Sequence, residues 1–150
     1  MKRFRFPLRP VAVIRAHHES RAKDAYRSAY SELTEAEQRH ARSQARLRSL
    51  ADAIDSHRQG TFSPQQAAAT ARAYSMESQE VARDEKSAAD ARQAMLVARE
   101  AYIKAHRELK VVQRLEEKAR ASHQAACRLL EQGALDELAA SARRPAVQFP

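Results

Sequence analysis

Apolar and small residues recur every three or four positions in the first part of the chain. A period near 3.6 residues is the signature of one face of a helix, and from Leu33 onward the regular alternation of the two steps is typical of a coiled-coil seam. We predict one long helix over residues 10–57. The stripe consists of Val11, Ile14, His18, Ala22, Ala25, Ala29, Leu33, Ala36, His40, Ser43, Leu47, Leu50 and Ile54.

A second seam runs from Ala67 to Leu129, and Glu85 and Arg92 are expected to interrupt it. We predict a second helix over residues 64–132. Because glycine is a poor helix former that often follows a helix C-terminus, Gly133 is expected to separate a short third helix over 134–143. A tail follows over 144–150. One heptad position of the second seam reads Tyr74, Val81, Ala88, Met95, Tyr102 and Leu109.

The turn is expected over residues 58–63, because Gly60 can adopt the backbone conformations that a turn needs. Ser63 then precedes Pro64, and Gln66 follows three positions after the serine. This order predicts a capping box with proline at the first helical position.

Two long amphipathic helices joined by a short turn predict an all-α fold, an antiparallel αα-hairpin coiled coil in a single domain over 1–150. Residues whose numbers add to about 121 should lie opposite each other if the turn is centred near Gly60. The second helix then has no partner from the first helix beyond about Val111. Phe4, Phe6 and Leu8, in a basic arm over residues 1–9, are expected to cover part of that surface.

The composition points to a narrow seam rather than a globular interior. Alanine occurs 32 times, glycine twice and tryptophan never, and aromatic residues make up 5% of the chain. We therefore expect no deep pocket, no catalytic site and no bound cofactor. His17, His18 and Glu19 are adjacent and diverge around a helix, so we expect no metal site there. His123 and Cys127 are four positions apart, but a catalytic dyad needs a third orienting group and a pocket, so Cys127 is interpreted as a small seam residue. The single cysteine fits a reducing compartment.

The chain is strongly basic, and its basic residues are unevenly distributed. The formal net charge is +8, and five basic residues precede the first acidic one. In an antiparallel hairpin this cluster lies at the same end as Arg143 and Arg144, which predicts a positive pole and an acidic partner. A nucleic-acid-associated coiled coil remains an alternative, although no groove-reading motif is present. The five residues are Lys2, Arg3, Arg5, Arg9 and Arg15. With no apolar run of 18 residues, we expect no transmembrane segment.

Particular residues carry a family resemblance. The opening Phe4-Arg5-Phe6-Pro7-Leu8-Arg9-Pro10-Val11, followed by Arg15 and Glu19, resembles the start of the FliJ family of flagellar export proteins. The stretch from Lys110 to Lys118 and the later Leu135-Asp136-Glu137 also resemble that family. The length, the two-helix layout and a turn near residue 60 agree with it, whereas the alanine-rich middle departs from its better-known members.

The resemblance implies a non-enzymatic, stalk-like coiled coil in the cytoplasm, at the inner face of the membrane beneath the flagellar export gate. It implies three partners: the hexameric export ATPase, the gate membrane protein and export chaperones. An equivalent stalk protein of a non-flagellar type III secretion system is the alternative.

Two surfaces are assigned to these partners. For the ATPase ring we expect an open-end surface made of Arg3, Arg5, Arg9, Val112, Leu115, Leu129 and Leu130. For the export gate we expect a tip surface made of Leu50, Ile54, Phe62, Tyr74 and Met76. The alternative is that Phe62 only closes the hairpin as a hydrophobic staple.

Overall fold

The computed structural model describes residues 3–58 and 63–142 of the chain. Two helices make up nearly all of these ranges: α1 spans Arg9–Arg58 and α2 spans Pro64–Ala142. Within the described ranges there is no strand. The predicted all-α fold with two long helices packed against each other is confirmed. The predicted turn lies mostly outside the described residues.

The described chain divides into two compact units, and each contains a segment of both helices. The middle unit comprises residues 19–58 and 63–105, and the terminal unit comprises residues 3–18 and 106–142. The number of domains stays a prediction.

In the middle unit, α1 presents a regular heptad seam to α2. Leu33, Ala36 and Ser43 are its buried residues, with 6%, 1% and 0% of their surfaces exposed. The Ser43 hydroxyl donates to the carbonyl of His40 at 3.0 Å, so this buried polar group is satisfied within its own helix. The half-buried positions continue the steps of three and four residues, at Glu19, Ala22, Tyr26, Ala29, His40, Leu47, Leu50 and Ile54.

Contacts between the helices of the middle unit show that they run antiparallel. The rings of Tyr26 and Tyr102 stack with centroids 6.1 Å apart and planes inclined by 3°. The Arg92 guanidinium donates to Glu37 at 2.6 Å. Nearer the end of α1, Arg46 donates to Glu77 at 3.2 Å and to Glu80 at 2.9 Å. Residues later in α1 therefore contact residues earlier in α2, which is the order expected of antiparallel helices.

The register differs from the one expected from a turn centred near Gly60. That expectation places Tyr26 opposite Met95, whereas Tyr26 stacks on Tyr102, one heptad further along α2. The ion pairs also lie further along α2 than expected, by two and five positions for Arg46 with Glu77 and Glu80 and by eight for Glu37 with Arg92. The expected pairing is therefore wrong in the middle unit. An alanine seam packs almost equally well after a shift of one heptad, so the large and charged side chains decide the register.

The predicted seam is also wrong at several individual positions. Val11, Ile14, His18 and Ala25 are exposed, whereas the half-buried positions are Ala12, Arg15, Glu19 and Tyr26. The seam keeps its 3.5-residue repeat back through the first turns of α1, and a 3.6-residue pattern drifts away from it.

In α2 the expected interruptions, Glu85 and Arg92, lie off the seam and are exposed, while Asp84 and Ala91 are half-buried. The charge of Arg92 therefore does not weaken the seam. Its side chain reaches the carboxylate of Glu37 instead.

The capping box at the start of α2 is confirmed. The backbone amide of Gln66 donates to the Ser63 hydroxyl at 3.3 Å, and the Ser63 amide donates to the Gln66 side chain at 3.4 Å. The Ala67 amide bonds the Ser63 carbonyl at 3.1 Å, which closes the first turn. These contacts occupy donors that a helix start otherwise leaves without partners.

The predicted break at Gly133 is wrong, and so is the separate short helix over 134–143. Helix α2 passes through Gly133 and continues to Ala142. Glycine disfavours a helix by about 1 kcal/mol relative to alanine but does not block its hydrogen bonds as proline does. Nothing lies within 4 Å of the position that a Cβ would take at Gly133.

Candidate partner-binding surfaces

The N-terminal arm of the terminal unit is held in place by its aromatic residues. Phe6 is 9% exposed, and its carbonyl accepts a hydrogen bond from the Arg9 amide at 3.3 Å. The Ala12 amide donates to the Leu8 carbonyl at 3.0 Å, so the arm leads directly into the first turn of α1. Pro7 fixes a backbone angle between these contacts.

Phe4 attaches the arm to α2. Its ring meets the His123 ring edge-on with centroids 5.5 Å apart, and the Arg120 guanidinium lies 5.6 Å from its centre. The Cys127 sulfur lies 3.7 Å from Nδ1 of the same histidine. His123 thus belongs to the packing of the arm, and Cys127 lies beside it on α2.

The arm therefore covers part of α2 beyond Val111, as expected. Phe4 makes these contacts and Phe6 is buried, whereas Leu8 is 40% exposed. Arg15 also forms an ion pair with Glu108 in this unit.

The basic arm residues assigned to the open-end surface are accessible. Arg3, Arg5 and Arg9 are all exposed. Within the described part of the chain, no acidic side chain pairs with them. Lys2, Arg143 and Arg144, which were expected to enlarge this positive surface, lie outside the described residues.

The apolar members of the open-end surface differ in exposure. Val112 is only 8% exposed, so it cannot be presented to a partner, and its assignment to that surface is wrong. It continues the row of half-buried positions that α2 presents at Ala105, Leu109, Glu116 and Ala119. Leu115 is 46% exposed, and Leu129 and Leu130 are 71% and 75% exposed. Every residue from 128 to 142 is exposed, including Leu135 and Leu138, which the sequence interpretation left out.

A groove in the terminal unit contains residues that the sequence interpretation missed. It has a volume of about 990 Å³ and lies between the arm, the first turns of α1 and α2. Three of its lining residues had no role assigned from sequence: Val13, Glu116 and Arg120. Val13 is about a hundred residues away from the other two in the chain, so only the folded structure brings them to one groove. Its other lining residues are Phe4, Arg5, Phe6, Pro7, Arg9 and Pro10.

The residues assigned to the tip surface fall into two grooves of the middle unit. Ile54 and Tyr74 line one groove of about 640 Å³, together with small residues such as Ala67 and Ala71. Leu50 and Met76 line a second groove of about 670 Å³. Met76 is 70% exposed and Tyr74 is 41% exposed. Phe62, the remaining member, lies outside the described residues.

The second groove has a charged wall. Arg46, Glu77 and Glu80 line it, and Arg46 pairs with both carboxylates. The hydrogen bond with Glu77 raises the pKa of Arg46 above its usual value, and the carboxylates of Glu80 and Asp84 add to the shift. Arg46 therefore stays charged across the accessible pH range and keeps this wall ionic.

Two features of the described residues bear on other classes of function. In residues 3–58 and 63–142, no group of three or more histidine, cysteine, aspartate or glutamate side chains could hold a metal ion. Neither described helix contains a stretch apolar and long enough to cross a membrane.

Comparison with known proteins adds one finding. The family described as Flagellar FliJ protein matches residues 4–145, which is nearly the whole chain. No curated protein and no solved structure matches the chain significantly.

Proposed function

The chain belongs to the FliJ family of flagellar proteins, and on this premise we propose how it acts as a component of the flagellar export apparatus. It is a non-enzymatic stalk whose terminal unit binds the hexameric export ATPase and promotes its assembly and activity. Its middle unit contacts the export gate, and the chain also engages export chaperones. It works in the cytoplasm at the inner face of the membrane.

The observation that carries the ATPase assignment is the accessible, unpaired charge of the arm. Arg3, Arg5 and Arg9 are exposed and have no acidic partner among the described residues. Such charges speed association with an acidic surface, because they attract it before contact. The side chains of Leu129 and Leu130 are largely exposed. Burying this apolar area against the ATPase would slow dissociation of the complex.

The gate assignment is supported by apolar side chains around the two grooves of the middle unit. Met76 and Tyr74 are exposed, and each lies beside a half-buried residue of α1. Grooves lined by alanine leave room for larger side chains of a partner. We therefore expect Met76→Ala with Tyr74→Ala to weaken binding of the gate protein without weakening binding of the ATPase.

Surface plasmon resonance against the purified ATPase hexamer tests the main assignment. Arg3→Glu with Arg5→Glu should slow association, and the defect should shrink as salt is raised. Leu129→Ala with Leu130→Ala should mainly speed dissociation. Arg42→Glu with Arg48→Glu is the matched charge control, since both residues are exposed and lie in the middle unit. Leu96→Ala with Val97→Ala is the apolar control.

Equal effects of the test and control variants would contradict the assignment of the open-end surface. A deletion strain tests the wider function. We expect loss of motility and of secreted hook and filament protein, both restored by the wild-type chain. Normal flagellar secretion in that strain would exclude the flagellar function.

A further inference from the structure

The groove of the terminal unit combines an apolar floor with a cationic rim. Pro7, Pro10 and Val13 supply apolar surface, and Val13 is 64% exposed. Arg5, Arg9 and Arg120 surround it. The first turn of α1 contains no acidic residue, so the positive end of the helix dipole adds to the potential at this site.

One carboxylate lines the groove, and it is already paired. Glu116 accepts a hydrogen bond from Arg120 at 3.2 Å. Arg5 and Arg9 have no acidic partner in the described part of the chain. Two guanidinium groups of the rim are therefore free to bind carboxylates that a partner brings.

The groove is held open by local structure. Pro7 and Pro10 restrict the backbone, the buried Phe6 anchors the arm, and the Arg9 amide bonds the Phe6 carbonyl. Because these contacts already fix the shape of the groove, less conformational entropy is lost when a ligand binds.

We infer that this groove binds a short acidic peptide segment of a partner protein, with leucine or phenylalanine side chains on the apolar floor and carboxylates on Arg5 and Arg9. The inference rests on the proposed function, since it names the chemistry of the partner that the arm meets. It adds Arg120, Glu116 and Val13 to a surface that had been assigned from the arm and the exposed leucines.

The aromatic contacts favour a peptide over a nucleic acid. Base stacking needs an open aromatic face. Phe6 is buried, and Phe4 already contacts the Arg120 guanidinium and the edge of His123. Neither ring offers a stacking platform, whereas aliphatic side chains can settle on Val13 and the prolines.

Fluorescence anisotropy with synthetic peptides tests the inference on the full chain. The probes are three labelled twelve-residue peptides with the same leucine and phenylalanine positions and with four glutamates, four glutamines or four lysines. We expect the glutamate peptide to bind about tenfold more tightly than the glutamine peptide at low salt, and the advantage to fall as salt is raised.

Variants of the groove separate charge from shape. Arg5→Gln with Arg9→Gln should remove the affinity advantage of the glutamate peptide over the glutamine peptide. Val13→Trp should weaken the binding of both of these peptides, because the larger side chain fills the apolar floor. Glu116→Gln removes the carboxylate that lines the groove and should tighten the glutamate peptide by about fivefold, the effect of one nearby charge in water. Arg42→Gln with Arg48→Gln is the control. Circular dichroism checks that each variant stays helical.

Several results would overturn the inference. These are equal binding of the three peptides, no gain from Glu116→Gln, or tighter competition by a single-stranded oligonucleotide at the same residues. Self-association of the wild type that disappears in Arg5→Gln with Arg9→Gln would show that a second copy fills the groove.

The peptide assay needs no ATPase, so its failure leaves ATPase binding intact. Failure of the wild-type chain to bind the ATPase would instead remove the proposed function.

Discussion

The stack of Tyr26 on Tyr102 makes the register of the middle unit testable. Tyr26→Leu and Tyr102→Leu each remove a ring and keep an apolar side chain at the seam. A double-mutant cycle with both substitutions measures how strongly the two rings depend on each other, because contacts of either ring with third residues cancel.

The geometry sets the size of the expected coupling. The centroids are 6.1 Å apart and the planes are nearly parallel, which is within the range of favourable aromatic pairs. Such pairs contribute about 0.5–1.5 kcal/mol beyond their burial. Both rings are only partly buried, so we expect a coupling free energy of about 1 kcal/mol.

Urea unfolding followed by circular dichroism at 222 nm supplies the free energies of unfolding. The control is a second cycle that pairs Tyr26→Leu with Met95→Ala, the partner expected from a turn centred near Gly60. Met95 lies one heptad from Tyr102, so this cycle should give less than about 0.5 kcal/mol, the usual error of additivity. A larger coupling with Met95 than with Tyr102 would refute the register.

Three further substitutions test other parts of the structure. Ser63→Ala should destabilise the start of α2 by about 1 kcal/mol, seen as faster amide exchange over residues 64–70, while Ser63→Asp should preserve the cap. Gly133→Ala should slow amide exchange around residue 133 by stabilising α2 by about 1 kcal/mol, since the added Cβ meets nothing within 4 Å. Leu33→Ala should lower the free energy of unfolding by about 2–3 kcal/mol, against less than about 1 kcal/mol for the more exposed Leu96→Ala.

The amino-acid sequence by itself determined that there are two long helices, the bounds of α1 and the start of α2, but not the end of α2, which continues through Gly133. Repeats of three and four residues are a property of each segment alone, and the bounds Arg9–Arg58 and the start at Pro64 follow them closely. The capping box was equally predictable, because Ser63 and Gln66 interact across one turn and need nothing from the rest of the chain. The exposure of the basic arm residues also follows from their charge.

Only the tertiary structure decided the register and the groove. Ala22, Ala29 and Ala36 are spaced one heptad apart and offer the facing helix the same small side chain. The sequence therefore does not distinguish alignments of the two helices that differ by one heptad. The stack of Tyr26 on Tyr102 makes that choice. The burial of Val112 and the placement of Arg120 beside the arm depend on contacts across about a hundred residues of chain. No local pattern encodes such contacts, because they form only when both segments are packed in one unit.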